Sequence, residues 1–263
     1  MPSPVETRLN FALAASERAE AFVLEHYLST SLDVELKSDE SPVTIADRGA
    51  EQMLRKEILK EFPNDAVLGE EFGETSGTSG YRWVLDPVDG TKSFVHGVPL
   101  FGMLIGLQHN GESLAGICRL PGAREVIYAM QGGGAWWSRG GEAPVEARVR
   151  TDVEMSDSLF CYTAIDGFEQ IGRIDVLRKL SQKCRLTRGW GDCYGHMLVA
   201  TGRAGIMVDP LLAEWDACAL LPIIREAGGV FMDWTGVARA DGGNGISLAP
   251  QLRESVEQIV LAR

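Results

Sequence analysis

Two carboxylates, Asp86 and Asp89, stand at the end of a short apolar run in Trp83-Val84-Leu85-Asp86-Pro87-Val88-Asp89-Gly90-Thr91. Val84 and Leu85 read as a buried strand that delivers both acids at its C-terminal end. Pro87 has no N–H to give to a sheet ladder, so the chain is expected to turn there. Gly90 lets the backbone approach a ligand, and Thr91 can open a helix whose free N–H groups face the same spot. Hard oxygen ligands beside an anion-binding helix start suit a divalent cation and a phosphate held together.

Other acids stand at similar places. Glu70 and Glu71 follow the apolar pair Val67-Leu68, bracketed by Gly69 and Gly73. Asp47 closes Pro42-Val43-Thr44-Ile45-Ala46-Asp47 ahead of a helix-like segment, and Trp215-Asp216 opens an apolar helical stretch. Each acid has a plain structural alternative. Asp47 can complete a capping box with Thr44, and Asp86 can form an Asx-Pro turn. Glu70 and Glu71 can be solvated loop charges, and Asp216 a first-turn acid on a helix dipole. Their order and their placement at element ends point instead to one cluster, with Asp47 able to do both jobs. Mg²⁺ takes octahedral oxygen coordination through a few carboxylates plus substrate phosphate. Two such ions ~3.5–4 Å apart can clamp an in-line displacement at phosphorus. Phosphoryl transfer asks mainly for positioning and charge neutralisation, so no Ser-His-Asp triad, cysteine nucleophile or P-loop lysine is needed, and the sequence offers none.

The set T-x-x-D, G-E-E, W-x-L-D-P-x-D-G-T and W-D, in this order, resembles the inositol monophosphatase family of magnesium-dependent phosphomonoesterases. The resemblance runs from Lys37 past Gly228-Gly229. It implies that Glu70, Asp86, Asp89 and Asp216 bind two or three Mg²⁺ ions, with the Val88 carbonyl as a further ligand. Asp47 would pair with Thr91 to orient the attacking water, with Glu70 part of the same catalytic group. Asp89, Gly90 and Thr91 would meet the phosphate, and Lys37 would lie near the metals. The fold implied is α+β, a layered αβαβα sandwich with the metal site between its halves, and such proteins are commonly homodimers.

Substrate choice is expected to reside in the second half. Where inositol-acting members usually read G-T/S-A-A, this chain has Gly191-Asp192-Cys193-Tyr194-Gly195, and Asp209 stands where they usually carry a glutamate. These features, with D-P-V-D-G-T-K-S-F followed by G-V-P, resemble the histidinol-phosphatase branch. Asp192 and Asp209 as substrate-binding residues would suit an amine and imidazole, and Trp190 or Tyr194 could stack on the ring. Asp192 also reads as a simple N-cap after Gly191. Arg188 has several readings: a partner for Asp192 or Asp209, a phosphate contact, or a residue offered to a neighbouring subunit. Rival activities are the same chemistry on inositol 1-phosphate or a nucleotide 3′-phosphate, a sugar bisphosphatase, and a non-catalytic metal or phosphate-binding regulator.

Composition agrees with an enzyme acting on a small phosphate ester. A net charge of −12 over 263 residues opposes binding to nucleic acid or an anionic membrane surface. It suits an anionic substrate only if metals invert the local field. The first residues carry no apolar signal core and no run approaches ~20 apolar residues, which gives the expectation of a cytoplasmic protein. The five cysteines show no C-x-x-C pair and read as reduced thiols. Among the histidines, His96 is the one expected near the site.

These residues need elements to hold them. Leu9, Ala12, Leu13, Ser16, Ala19, Val23 and Tyr27 define one face of a long first helix. Thr44 starts a second, with Ala50, Met53, Leu54 and Ile58 inward. Strands are predicted at 66–69, 82–86, 100–108, 113–119 and 124–130, with Asn110-Gly111 as a hairpin turn. Further on come a strand at 159–162, helices at 167–182 and 192–202, a strand at 205–208, a helix at 214–227 stopped by Gly228, a strand at 230–232 and a helix at 250–261. A join over 143–156 divides the chain into residues 1–145, carrying most metal ligands, and 146–263, carrying Asp216 and the specificity residues, in one compact catalytic unit.

Overall fold

The computed structural model describes residues 2–29, 34–36 and 42–261, so that Lys37 lies outside the described residues. Helix α1 (Pro4–His26) begins at a capping box in which Ser3 and Glu6 exchange hydrogen bonds, and it buries the face the spacing predicts, with Tyr27 as its C-cap. Strands β1 (Val34–Leu36) and β2 (Pro42–Thr44) form an antiparallel ribbon that leads into α2 (Ile45–Glu61).

The first large sheet is built from β3 (Ala66–Gly69), β4 (Gly73–Thr75), β5 (Tyr81–Asp89), β6 (Gly102–His109), β7 (Glu112–Leu120), β8 (Glu125–Met130), β9 (Ala135–Arg139) and β10 (Val145–Glu146). Its strand order is β10-β9-β8-β7-β6-β5-β3-β4. A short helix, α3 (Thr91–Val95), follows β5. The second half contributes β11 (Leu159–Tyr162), α4 (Ile165–Gln170), α5 (Ile174–Lys183), β12 (Leu186–Arg188), α6 (Asp192–Ala200), β13 (Ile206–Asp209), α7 (Glu214–Glu226), β14 (Val230–Met232), β15 (Gly245–Leu248) and α8 (Arg253–Val260). Its five strands pair in the order β12-β11-β13-β15-β14.

Alternation along the strands sorts side chains into separate cores. Met103, Ile105 and Leu107 of β6 pack under α1 and α2, whereas Leu104 faces α6 and α7. Beyond those central helices lies the second sheet, whose far face packs Val208, Ile246 and Leu248 against Leu180, Val256 and Ile259 of α5 and α8. The layers therefore run αβαβα, as the resemblance implied. Close approach of α7 to the first sheet depends on Gly106 and Gly116, which are cross-strand partners. A Cβ on Gly116 would stand 2.1 Å from the Ala219 carbonyl oxygen, and one on Gly106 would stand 2.4 Å from Cys218 Sγ.

Two expectations need correction. The chain does not turn away at Pro87, because β5 continues through it to Asp89. Asp86 pairs with Leu104 and Asp89 with Gly102, so three steps on β5 match two on β6. This is a β-bulge, which spares Pro87 a ladder bond and brings Asp86 and Asp89, otherwise on opposite faces, to one side. The helix expected over 167–182 is two helices, separated at Gly172, whose φ of 68° and N–H to the Glu169 carbonyl end α4. Strands β1, β2, β4, β9, β10, β12 and β15 were not foreseen.

Candidate active site

One oxygen each of Asp86, Asp89 and Asp216 lies within 4.8 Å of the other two. The bulge of β5 supplies the first pair, and α7 supplies Asp216 in its first turn. Each carboxylate is tied by a backbone amide. Val88 N–H donates to Asp86 Oδ1 at 3.0 Å, Ala213 N–H to Asp216 Oδ2 at 2.8 Å, and Cys193 N–H to Asp89 Oδ2. Burial, reinforced by the charge of Asp216, pushes Asp89 up to about 8. Burial likewise pushes Asp216 to about 7. Asp86 is raised well above the ordinary carboxylate range, first by burial and then by the charges of Glu70, Asp89 and Asp216. The strongest charged neighbours of Asp86 are thus all acids. Carboxylates forced together out of water, with only hard oxygen to offer, fit a divalent cation of the Mg²⁺ type.

Beside the acids stands a hydroxyl. Thr91 Oγ1 lies 2.9 Å from the Val88 carbonyl oxygen and 3.3 Å from Asp47 Oδ1. The other oxygen of Asp47 accepts from Thr44 N–H at 2.8 Å and from the Thr44 hydroxyl, which completes the capping box of α2. Asp47 therefore caps its own helix with Oδ2 and reaches Thr91 with Oδ1. Burial raises it to about 6, so it is mostly ionised at neutral pH. Gly90 links this corner to the acids with φ 80°, in the left-handed region where a side chain is strained.

A cavity of about 310 Å³ opens at the Gly90-Thr91 corner, lined among others by Glu70, Gly90, Thr91, Thr163, Gly191 and Asp192. Glu70 forms part of its wall, and its charge acts on both Asp86 and Asp216. Asp192 is the first residue of α6 rather than its cap, which is Gly191. It adopts a φ of 53°, its N–H donates to Thr163 Oγ1 at 2.9 Å, and its Oδ2 would stand 3.1 Å from a Cβ on Gly90. Its carboxylate thus leans over the Gly90-Thr91 corner.

Other expected residues lie elsewhere. Arg188 is exposed on the edge strand β12 and donates to the Thr187 carbonyl at 2.8 Å, reaching neither Asp192 nor Asp209. The Asp209 side chain is only 3% exposed and is spent on His196, whose Nε2 lies 3.3 Å from Asp209 Oδ2. Asp209 therefore acts on the site through its charge, felt by Asp89, Asp192 and Asp216, not by contact across the cavity wall. His96 is exposed, with Nδ1 2.8 Å from the Lys92 carbonyl of its own helix. The histidine near the site is His196, fully buried and bridging Asp209 to Ser247 at 2.7 Å. Its place one helical turn after Asp192 was the available signal. Thr163 had none. Trp190 is exposed, whereas Tyr194 packs against the central core. All five cysteines are buried and unpaired, and no described helix is long and apolar enough to cross a membrane.

An acid cluster on a bulged strand, set within an αβαβα sandwich, defines a hydrolase of phosphate esters. The chain belongs to the inositol monophosphatase family, whose model matches residues 5–261. A histidinol-phosphatase of Chlorobaculum parvum is 40% identical over 238 residues, covering 90% of each chain. A histidinol-phosphatase of Mycobacterium tuberculosis is 33% identical over 248 residues, covering 94% of this chain and 95% of its own. The solved structure of an inositol monophosphatase from Zymomonas mobilis superposes with a TM-score of 0.85 at 30% identity, covering 99% of this chain and 100% of that one.

Proposed function

We propose that this protein is a Mg²⁺-dependent phosphomonoesterase that converts histidinol phosphate and water to histidinol and phosphate. The observation that carries the substrate choice is Asp192, an acid held over the Gly90-Thr91 corner by Thr163. A cationic alcohol beside the scissile ester would complement it, and the histidinol-phosphatase of Chlorobaculum parvum is 40% identical.

The carboxylates of Glu70, Asp86, Asp89 and Asp216 and the Val88 carbonyl would hold two or three Mg²⁺ ions. When bound, these ions neutralise charge on the phosphoryl oxygens and acidify the attacking water. The chain's own groups do the rest. Thr91 has one hydroxyl proton; when it is given to Asp47 Oδ1, the Thr91 oxygen presents a lone pair that fixes the attacking water. Asp47 cannot swing away, because Thr44 occupies its second oxygen. Glu70, on the cavity wall, takes the proton of that water as it attacks in line; the ester P–O bond breaks on the opposite side, and the departing histidinol oxygen takes up a proton from water. The backbone N–H groups of Gly90 and Thr91 bind the phosphate oxygens, and Asp192 receives the ammonium or imidazole end. Arg188 and Asp209 drop out as substrate contacts. A cytoplasmic homodimer belongs to the same reading, with sedimentation the check on its dimeric state.

The test is phosphate release with Mg²⁺ from histidinol phosphate, inositol 1-phosphate and adenosine 3′,5′-bisphosphate in parallel. A strong preference for the first supports the proposal. Comparable rates on inositol 1-phosphate would keep the metal chemistry and overturn the role given to Asp192.

A further inference from the structure

Glu51 lies one helical turn beyond Asp47 on the same face of α2 and is 0% exposed. Its carboxylate accepts two backbone amides from the loop that carries Glu70: Glu71 N–H at 2.8 Å on Oε2 and Phe72 N–H at 3.2 Å on Oε1. Arg55, another turn along, donates Nε to Glu51 Oε1 at 2.6 Å. The rest of its guanidinium bonds the Gly73 carbonyl and, at 3.2 Å, Thr75 Oγ1. The loop has been shaped to admit this carboxylate, since a Cβ on Gly69 would stand 2.1 Å from Glu51 Oε1.

We propose that Glu51, braced by Arg55, is a positioning residue that fixes the loop from Gly69 to Gly73 so that the Glu70 carboxylate faces Asp86 and Asp216. The inference rests on the reading of Glu70 as a metal ligand. Strand β3 is held by β5, and the Glu70 N–H by the Leu85 carbonyl, but β4 is exposed along its whole length, so the far side of the loop has little packing of its own. A buried carboxylate with two amides and a guanidinium replaces that packing. Helix α2 then sets two loops at once, through Asp47 to Thr91 and through Glu51 to the amides beside Glu70. The two carboxylates are separated by one turn of a rigid rod, which fixes the distance between the corners they hold.

The test is Mn²⁺ binding to the metal-stripped protein by calorimetry, together with Mg²⁺ titration of phosphatase turnover. Glu51→Gln keeps the shape and loses the charge. It is expected to weaken metal binding about 10–100-fold, with kcat recovering to within a few-fold of the parent at saturating Mg²⁺. Arg55→Lys is expected to act in the same direction, and carries the test if Glu51→Gln does not fold. Arg8→Ala, which breaks the distant buried pair with Asp65, should lower the melting temperature and leave metal affinity alone. Parent-like metal affinity in Glu51→Gln would overturn the proposal, as would an equal loss in Arg8→Ala. Glu70→Gln separates the two levels. If it binds metal like the parent, the reading of Glu70 as a ligand fails; if it alone weakens binding, only the role of Glu51 falls.

Discussion

The backbone N–H of Cys193 donates to Asp89 Oδ2, so the start of α6 is bonded directly to a carboxylate of the acid cluster. The residue before Cys193 is Asp192, whose carboxylate leans over Gly90. The residue bonded to the acid cluster and the residue that leans over the Gly90-Thr91 corner are therefore consecutive at the start of α6.

Asp89→Asn should separate stability from activity. Turnover is expected to fall roughly 10²–10³-fold or more, since the proposed reading makes Asp89 a charged ligand at the reacting centre. The metal-free protein should melt at a higher temperature, because a carboxylate crowded by Asp216 and burial has become neutral. Near-parent activity in saturating Mg²⁺ would remove Asp89 from the site.

Asp192→Ala is expected to reduce kcat/KM for histidinol phosphate at least about tenfold, corresponding to roughly 1.4 kcal/mol of lost complementarity. A generic aryl phosphate should lose much less. Equal losses on the two substrates would make Asp192 a support for the α6 start.

Acidity should govern the stability of the metal-free protein in a direction opposite to the usual salt-bridged acid. Asp89 and Asp216 ionise near 3.8 when exposed, but only at about 8 and about 7 in the fold. Folding thus takes up protons in this window, so stability is greatest below the unfolded value and is lost as pH rises through the folded ones. The melting temperature without metal should fall between about pH 5 and about pH 8, and added Mg²⁺ should restore more of it at the alkaline end. A metal-free melting temperature that climbs across this range would show that the acids are not crowded as described.

Gly116→Ala tests how Asp216 is brought to the cluster. The new methyl would press on the backbone of Ala219, three residues beyond Asp216 in α7. A destabilisation of about 1–3 kcal/mol is expected from overpacking, with a weaker apparent affinity for Mg²⁺ as α7 withdraws. Thermal melts and a metal titration of turnover check the pair of effects. Loss of stability with unchanged Mg²⁺ dependence would mean that Asp216 is set locally by Ala213.

The three acids that meet, Asp86, Asp89 and Asp216, were legible because each stands in a local motif with its own chemistry. Thr44 to Asp47 is a capping box by spacing alone, and Asn110-Gly111 turns with φ of 51° and 86° as its residue types demand. The geometry around Pro87 was not legible: a bulge depends on the register with β6, which no single strand encodes. His196 was overlooked because its partners, Asp209 and Ser247, come from other elements. The split at Gly172 was missed because a hydrophobic period can persist across a break in the backbone. Arg188 turns out to pair with neither Asp192 nor Asp209, since its residue type says nothing about which way its strand edge faces.

The central layer of α6 and α7 has a consequence for how such a protein can change over generations. Helix α7 lies so close to the first sheet at Gly106 and Gly116 that the acid-bearing frame is locked by the packing there. The cavity rim, by contrast, is made of Thr163, Ala164, Gly189 and Asp192, at the ends of elements and in the loops between them, and mostly outside the packed interior. On the proposed reading, a lineage can exchange the alcohol it recognises by redrafting the rim, provided the bond from Cys193 to Asp89 is kept.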